Sequence, residues 1–111
     1  MIEYDMNTFR FRGKDFVFDN NILGVVSIEK KIIVVFETDE DDGYDNVYCY
    51  NFNQEKIWRI QQPPKKIGGT ARVPYVGINI EDGECKVVDF FGRKFSININ
   101  DGSIISKEIV R

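Results

Sequence analysis

Apolar and polar residues alternate with a period of two along most of the chain, which is the pattern of strands with one buried face. No segment of useful length carries an apolar stripe at helical spacing. The alternation predicts ten strands, at residues 8–12, 16–19, 22–28, 32–38, 46–53, 56–61, 73–81, 84–91, 94–100 and 103–110. Polar turn residues separate them, and Asp82-Gly83 and Asp101-Gly102 are typical of tight hairpins. The sequence therefore predicts an all-β meander of antiparallel strands.

Two parts of this pattern repeat each other. Residues 22–36 (ILGVVSIEKKIIVVF) align with residues 75–89 (YVGINIEDGECKVVD) at an offset of 53. Residues 48–58 (YCYNFNQEKIW) align with residues 95–105 (FSININDGSII) at an offset of 47. The aligned parts predict two antiparallel units of four strands each.

The organisation expected from this repeat is a single domain, residues 1–111. A hairpin at 8–19 comes first, and the two units follow at 22–61 and 73–110. The linker between the units, residues 62–72, contains Pro and Gly and shows no periodicity. It is expected to lead the chain from the outer strand of one unit back to the inner strand of the next.

The two offsets differ by six residues, so the first unit carries an insertion of six between its second and third strands. The insertion coincides with residues 37–45, which we call the acidic segment. This segment contains six of the 18 acidic residues of the chain and no basic residue: Glu37, Asp39, Glu40, Asp41, Asp42 and Asp45. Because the repeated scaffold does not need these residues, their charge points to function.

The third and fourth strands of each unit resemble the blade of a quinoprotein-type β-propeller. In residues 46–60 (NVYCYNFNQEKIWRI) an Asn precedes a tight turn and a strand that carries a tryptophan. Residues 95–109 (FSININDGSIISKEI) are similar, with Ile105 at the tryptophan position. The resemblance implies blade-like sheets stacked face to face. Closed propellers have at least four blades, so two units and a hairpin are expected to form half a propeller or an open sandwich.

The flanks of such an open stack must be capped by the hairpin, by self-association or by a partner. True quinoproteins bind their cofactor with residues from a full ring. No cofactor-binding residue is therefore carried over to this chain, and no cofactor is expected.

Composition narrows the functional classes. The chain has no histidine, which removes the usual general base and the commonest ligand of transition metals. No serine stands in a nucleophile-elbow motif, so we expect a protein that is not an enzyme. The alternative, a small carboxylate-based enzyme, requires a buried Asp or Glu with a raised pKa.

The start of the chain, MIEYDMNTFRFRGKDF, has no apolar signal segment, and no run of about 18 apolar residues follows. We therefore expect a cytoplasmic protein without membrane contact. In that reducing compartment Cys49 and Cys85 are expected to be free core residues. The aromatic residues expected in the core, from their alternating positions, are Phe52, Trp58, Phe90, Phe91 and Phe95.

Three interpretations of the acidic segment are open. A calcium loop beginning at Asp39 would need glycine at its sixth position, where the chain has Tyr44, so we expect no metal site. A solvated turn and a contact surface for a basic partner remain. The second acidic turn is either a polar hairpin tip or part of the same surface. The predicted partner-binding residues are Glu37, Asp39, Glu40, Asp41, Asp42, Tyr44, Asp45, Tyr48, Glu81, Asp82 and Glu84.

In length, acidity and lack of a signal or catalytic motif, the chain is similar to small bacterial immunity proteins of contact-dependent growth-inhibition systems. The resemblance implies a cognate basic toxin domain, a nuclease and above all a ribonuclease, whose substrate groove the acidic segment occludes. The alternative is a structural or adaptor module that pairs through exposed sheet edges. With a pI near 5.0 and no basic stripe, no direct binding of nucleic acid is expected. The chain is expected to be a monomer or a weak dimer.

Overall fold

The computed structural model describes residues 2–38, 44–68 and 72–108. These residues form three antiparallel sheets, and none of them closes into a barrel. The first sheet contains β1 (Tyr4–Asp5), β2 (Thr8–Phe11) and β3 (Lys14–Val17). The second contains β4 (Ile22–Ile28), β5 (Lys31–Phe36), β6 (Val47–Tyr50) and β7 (Lys56–Arg59). After one helical turn, α1 (Lys65–Gly68), the third contains β8 (Tyr75–Glu81), β9 (Glu84–Asp89), β10 (Lys94–Ile97) and β11 (Ile104–Glu108).

The prediction of an all-β stack of blade-like sheets is confirmed. Each predicted strand corresponds to an observed one, although most are shorter at one or both ends. Two elements were missed. The two residues of β1 are too few to show a period, and they turn the predicted hairpin into a three-stranded sheet. The single turn α1 lies in the linker, where no helical pattern is visible. No helix among the described residues is long and apolar enough to cross a membrane.

The second sheet is the middle layer, because β5 contributes to cores on both of its faces. Ile33 and Val35 pack against the third sheet, together with Val87 and Phe95. The residues between them, Ile32 and Val34, pack against the first sheet, with Phe9 and Phe16. A strand buried on both faces needs apolar residues at every position, which explains the uninterrupted sequence IIVVF.

The pairing of the strands shows the same repeat as the sequence. Ile22 pairs with Phe36, and a bulge precedes the pair formed by Gly24 and Val35. In the third sheet Tyr75 pairs with Asp89, and a bulge precedes the pair of Gly77 and Val88. Every one of these partners is displaced by 53 residues, as the sequence alignment predicts.

In the last strand, the observed pairing differs by one residue from the alignment of the two sequence repeats. Trp58 pairs with Cys49, whereas Ser106 pairs with the equivalent Ser96, so Ser106 and not Ile105 occupies the tryptophan position. The reason is the preceding turn. The amide of Asn51 donates to the carbonyl of Glu55, but that of Asn98 donates to Ser103, one residue further on.

The predicted core is partly correct. Trp58 and Phe95 are buried, and Cys49 and Cys85 are free thiols in the core between the second and third sheets. Phe52 is half-buried, and its ring packs at a tilt of 52° against that of Phe11. The prediction is wrong for Phe90 and Phe91, which are 70% and 60% exposed because β9 ends at Asp89 and the chain turns there.

Ion pairs lie on the outer faces of the two end sheets. On the third sheet Lys94 contacts Glu81 and Glu108, and Lys86 contacts Glu84 and Glu108. On the first sheet Arg10 lies 3.7 Å from Asp15. Polar outer faces are what the terminal units of a stacked array require in water.

Candidate interaction site

Backbone hydrogen bonds hold the chain at the point where the acidic segment leaves the second sheet and rejoins it. The amide of Phe36 donates to the carbonyl of Asn46 at 2.9 Å, and the amide of Glu37 donates to Asn21 at 2.7 Å. In the third sheet the equivalent bond runs from the Asp89 amide to the Arg93 carbonyl, also at 2.9 Å. Ten residues separate the first pair and four the second, so the inserted length of six agrees with the prediction.

Four of the predicted partner-binding acids, Asp39, Glu40, Asp41 and Asp42, lie outside the described residues. Glu37 is exposed at the start of the segment, and its carboxylate accepts a hydrogen bond from the Asn21 side chain at 3.2 Å. Glu37 therefore presents its carboxylate at the surface.

Asp45, at the other end of the segment, is held by cations from two distant parts of the chain. Its carboxylate forms an ion pair with Arg72, and its carbonyl accepts a hydrogen bond from Arg59 Nε at 2.7 Å. The guanidinium of Arg72 also lies 5.6 Å from the ring centroid of Tyr44, which is 45% exposed. The charge of Asp45 is therefore balanced within the protein. Sequence reasoning missed Arg72 as its partner because the two residues are 27 positions apart.

Tyr48 is half-buried, and its ring is already in contact with other side chains. Lys56 Nζ lies 4.9 Å and Arg59 Cζ 5.2 Å from the ring centroid, and Phe36 packs edge-on against it. A cavity of about 340 Å³ opens beside it, with Tyr50 and Lys56 in its wall. As a partner-binding residue, Tyr48 offers only the part of its ring that these neighbours leave open.

The structure does not bring the second acidic turn together with the described ends of the acidic segment, because the turn lies at the opposite end of β9. The six residues of β9 separate Glu84 from Asp89 by about 17 Å. Glu81 is bonded to Lys94 at 2.9 Å, which lowers the pKa of its carboxyl, and Glu84 lies 3.7 Å from Lys86. Asp82 occupies the turn itself, with a positive φ of 52°.

Asn46 and Tyr75 join the acidic segment to the third sheet. The buried Asn46 amide donates to the carbonyls of Phe36 and Tyr75 at 2.7 and 2.8 Å, and its oxygen accepts from the Tyr75 amide at 2.8 Å. Sequence reasoning placed Asn46 only as the first residue of a strand. Its sole signal was a polar residue next to an alternating run.

Two pairs of opposite charges surround the Tyr75 side chain. Burial raises the pKa of Tyr75 to about 12, with smaller influences from Arg72, Asp45, Asp89 and Arg93. Asp45 precedes Asn46, which bonds to Tyr75, and Tyr75 pairs with Asp89 across β8 and β9, so the pairs Asp45–Arg72 and Asp89–Arg93 lie at the same end of the second and third sheets.

Asp89 shapes the turn beside the acidic segment. It is 2% exposed, and one carboxylate oxygen accepts the amides of Phe91 and Arg93 at 3.0 and 2.9 Å. The other oxygen accepts Arg93 Nε at 2.7 Å. Gly92 supplies a φ of 83°, and the turn holds Phe90 and Phe91 in solvent.

The carboxyls with shifted pKa values do not suit general-acid chemistry, which requires a raised pKa. The pKa of Glu81 is lowered by Lys94, and that of Asp101 by hydrogen bonds from Ser103. Within the described residues, no three His, Cys, Asp or Glu side chains lie close enough together to hold a metal ion.

The comparison with protein families gives a match over residues 1–109 to a domain of unknown function (DUF7957), and this range includes the eleven strands of the described residues. The chain belongs to the DUF7957 family. No curated protein and no solved structure matches it.

Proposed function

We propose that the chain is a non-enzymatic binding protein that acts as an immunity protein. It neutralises a cognate basic toxin domain by placing the acidic segment in the toxin's substrate groove. The observation that supports this proposal is the insertion itself. Six added residues, most of them acidic, stand on a scaffold that repeats without them, and backbone hydrogen bonds close both ends.

Electrostatics provide the driving force. Acidic side chains at close spacing repel each other, and a cationic groove relieves that repulsion while attracting the protein from a distance. Asp45 is balanced by Arg72, so the proposal assigns the contact with the partner to Glu37 and to the four acids at 39–42. A chain of carboxylates imitates the spacing of phosphates, which favours a nuclease, and above all a ribonuclease, as the target in the cytoplasm.

The test requires a toxin reading frame immediately upstream of the gene, and it uses the purified chain together with the basic domain that this reading frame would encode. We expect the variant Asp39→Asn/Asp41→Asn/Asp42→Asn to bind at least about tenfold more weakly at low salt and to protect the toxin's substrate less well. The matched control, Glu81→Gln/Asp82→Asn/Glu84→Gln, neutralises three acids at the far end of the third sheet. It should bind within about twofold of wild type. Equal binding by both variants and wild type would contradict the proposal.

A second candidate function, a structural or adaptor module, is favoured by a different surface. β4 and β8 are edge strands of their sheets, and both border a groove of about 1190 Å³ that includes Leu23, Val26, Ile78 and Ile80. A partner strand could pair along either edge. Pairing of this kind depends little on ionic strength, so a salt titration of the complex separates it from binding through the acidic segment.

The charged outer faces of the first and third sheets favour a monomer. Stacking a second copy on either end would bury these groups, and the desolvation cost opposes it.

A further inference from the structure

Three exposed aromatic residues, Tyr44, Phe90 and Phe91, lie at one end of neighbouring sheets. The turn that contains Phe90 and Phe91 is the structural equivalent of the acidic segment, because equivalent hydrogen bonds close both. The Phe90 amide donates to the carbonyl of Pro74, next to Tyr75. Tyr75 in turn bonds to Asn46, at the end of the acidic segment. We call these three side chains the aromatic rim.

The packing of the fold does not account for the exposure of the rim. Phe90 and Phe91 are adjacent in sequence and 70% and 60% exposed, and neither belongs to the two hydrophobic cores. Large aromatic side chains held in water forgo the free energy of burial. Where such side chains cluster on a surface, they mark an interaction site more often than scattered apolar residues do.

The protein holds the two ends of the rim in the same way. Arg93 is bonded to the buried Asp89 and lies 5.4 Å from the ring centroid of Phe91. Arg72 is paired with Asp45 and lies 5.6 Å from the ring centroid of Tyr44. In each case an aspartate fixes an arginine and the arginine supports an aromatic ring. Rings fixed in this way lose little conformational entropy on binding.

We propose that the aromatic rim is the apolar anchor of a protein-docking surface. Its partner is a protein with an apolar pocket bordered by basic side chains. Buried aromatic and arginine residues carry most of the free energy at protein interfaces, and charges at their border set the rate and the choice of partner. The anchor depends on the geometry of Tyr44, Phe90 and Phe91 alone. The basic border of the pocket depends on the proposed function, through the neighbouring acidic segment.

The acidic segment next to the aromatic rim argues against two other binding partners, a membrane surface and a second copy of the chain. An anionic membrane surface would repel the acidic residues that precede Tyr44 in the sequence. A second copy of the chain would bring two acidic segments together, and like charges that meet at an interface cost binding free energy.

The first experiment replaces Phe91 with the photo-crosslinking residue p-benzoylphenylalanine in cells that produce the protein. Ile105 is the matched control, since it is also 60% exposed but lies on β11, outside the rim. We expect irradiation to join the position-91 protein to one other protein, identified by mass spectrometry, and the position-105 protein to none. A lipid adduct, an adduct to a second copy or no adduct at position 91 would overturn the proposal.

The second experiment measures binding of the purified partner. We expect Phe90→Ser/Phe91→Ser to weaken binding at least about tenfold with the salt dependence unchanged, while Ile105→Ser binds within about twofold of wild type. Unchanged thermal midpoints show that both variants are folded. If only the Asp39→Asn/Asp41→Asn/Asp42→Asn variant fails, the aromatic rim is wrong. If only Phe90→Ser/Phe91→Ser fails, the proposed function is wrong and the rim stands.

Discussion

The turn that joins β4 to β5 places two residues other than glycine in left-handed backbone conformations. Glu29 has a φ of 47° and Lys30 a φ of 64°. The equivalent turn of the third sheet has Asp82 at 52° and Gly83 at 79°, with glycine at the second position. A side chain in this region costs about 1–2 kcal/mol, so Lys30 carries a strain that Gly83 avoids.

We expect Lys30→Gly to stabilise the protein by about 0.5–1 kcal/mol, because the relief of strain exceeds the added entropy of the unfolded chain. Urea unfolding measures the change. The reciprocal variant, Gly83→Lys, should destabilise the protein by a similar amount. A loss of stability in Lys30→Gly would contradict this account.

The two thiols of the core should not react in the folded protein. Burial raises the pKa of Cys49 to about 11 and that of Cys85 to about 12. Since the thiolate is the reactive form, we expect almost no labelling by a disulfide reagent at pH 8. Both thiols should label at once in urea, which serves as the control. Rapid labelling of the native protein would show that the core between the second and third sheets opens.

Between elements, Asn46 joins the second and third sheets through two hydrogen bonds to the Tyr75 backbone, and a third bond holds the Phe36 carbonyl within the second sheet. We expect Asn46→Ala to cost about 2–4 kcal/mol, because it leaves buried backbone groups of Phe36 and Tyr75 without partners. Asn51→Ala is the control, since its oxygen accepts amides in an exposed turn where water can replace it. Equal losses in urea unfolding would mean that Asn46 does not join the sheets.

Trp58 and Gly102 form a second contact between the second and third sheets. The indole Nε1 of Trp58 donates to the carbonyl of Ile99 at 2.8 Å. A Cβ on Gly102 would lie 2.5 Å from the Trp58 ring, and Gly102 also has a φ of 77°. The turn between β10 and β11 therefore depends on this contact.

A double-mutant cycle tests the contact between Trp58 and Gly102. We expect Trp58→Ala to cost about 3–5 kcal/mol. Gly102→Ala should be less damaging in the Trp58→Ala background than in wild type, because the clash with the ring is gone and only the backbone strain remains. Thermal unfolding followed by circular dichroism measures all four proteins. Additive effects would show that the ring and the turn do not interact.

The whole molecule should unfold in one step, because β5 belongs to both cores. Val34→Ala removes a side chain from the core shared with the first sheet, and Val35→Ala removes one from the core shared with the third. We expect each to cost about 1–3 kcal/mol and to lower hydrogen-exchange protection in all three sheets together. Loss of protection in one sheet alone, in either variant, would mean that the two cores unfold independently.

Much of this architecture could be predicted from the sequence. The strands, the repeat and the length of the insertion all come from period-two alternation and from its recurrence at a fixed offset. These signals are local, because each side chain of a strand points to the face opposite its neighbour's. Gly24 and Gly77 pair with residues that are also 53 positions apart, because both units contain the same bulge.

Only the tertiary structure decided which site residues are available. Alternation continues through Phe90 and Phe91, and it cannot show that β9 ends at Asp89, where a buried carboxylate turns the chain. A run of acidic residues in the sequence also does not show which of the carboxylates form ion pairs within the protein. Arg72 reaches Asp45 across 27 residues, and contacts over such distances depend on how the sheets stack. The sequence by itself determined the strands and the inserted charge, whereas the stacking of the sheets determined which side chains a partner can reach.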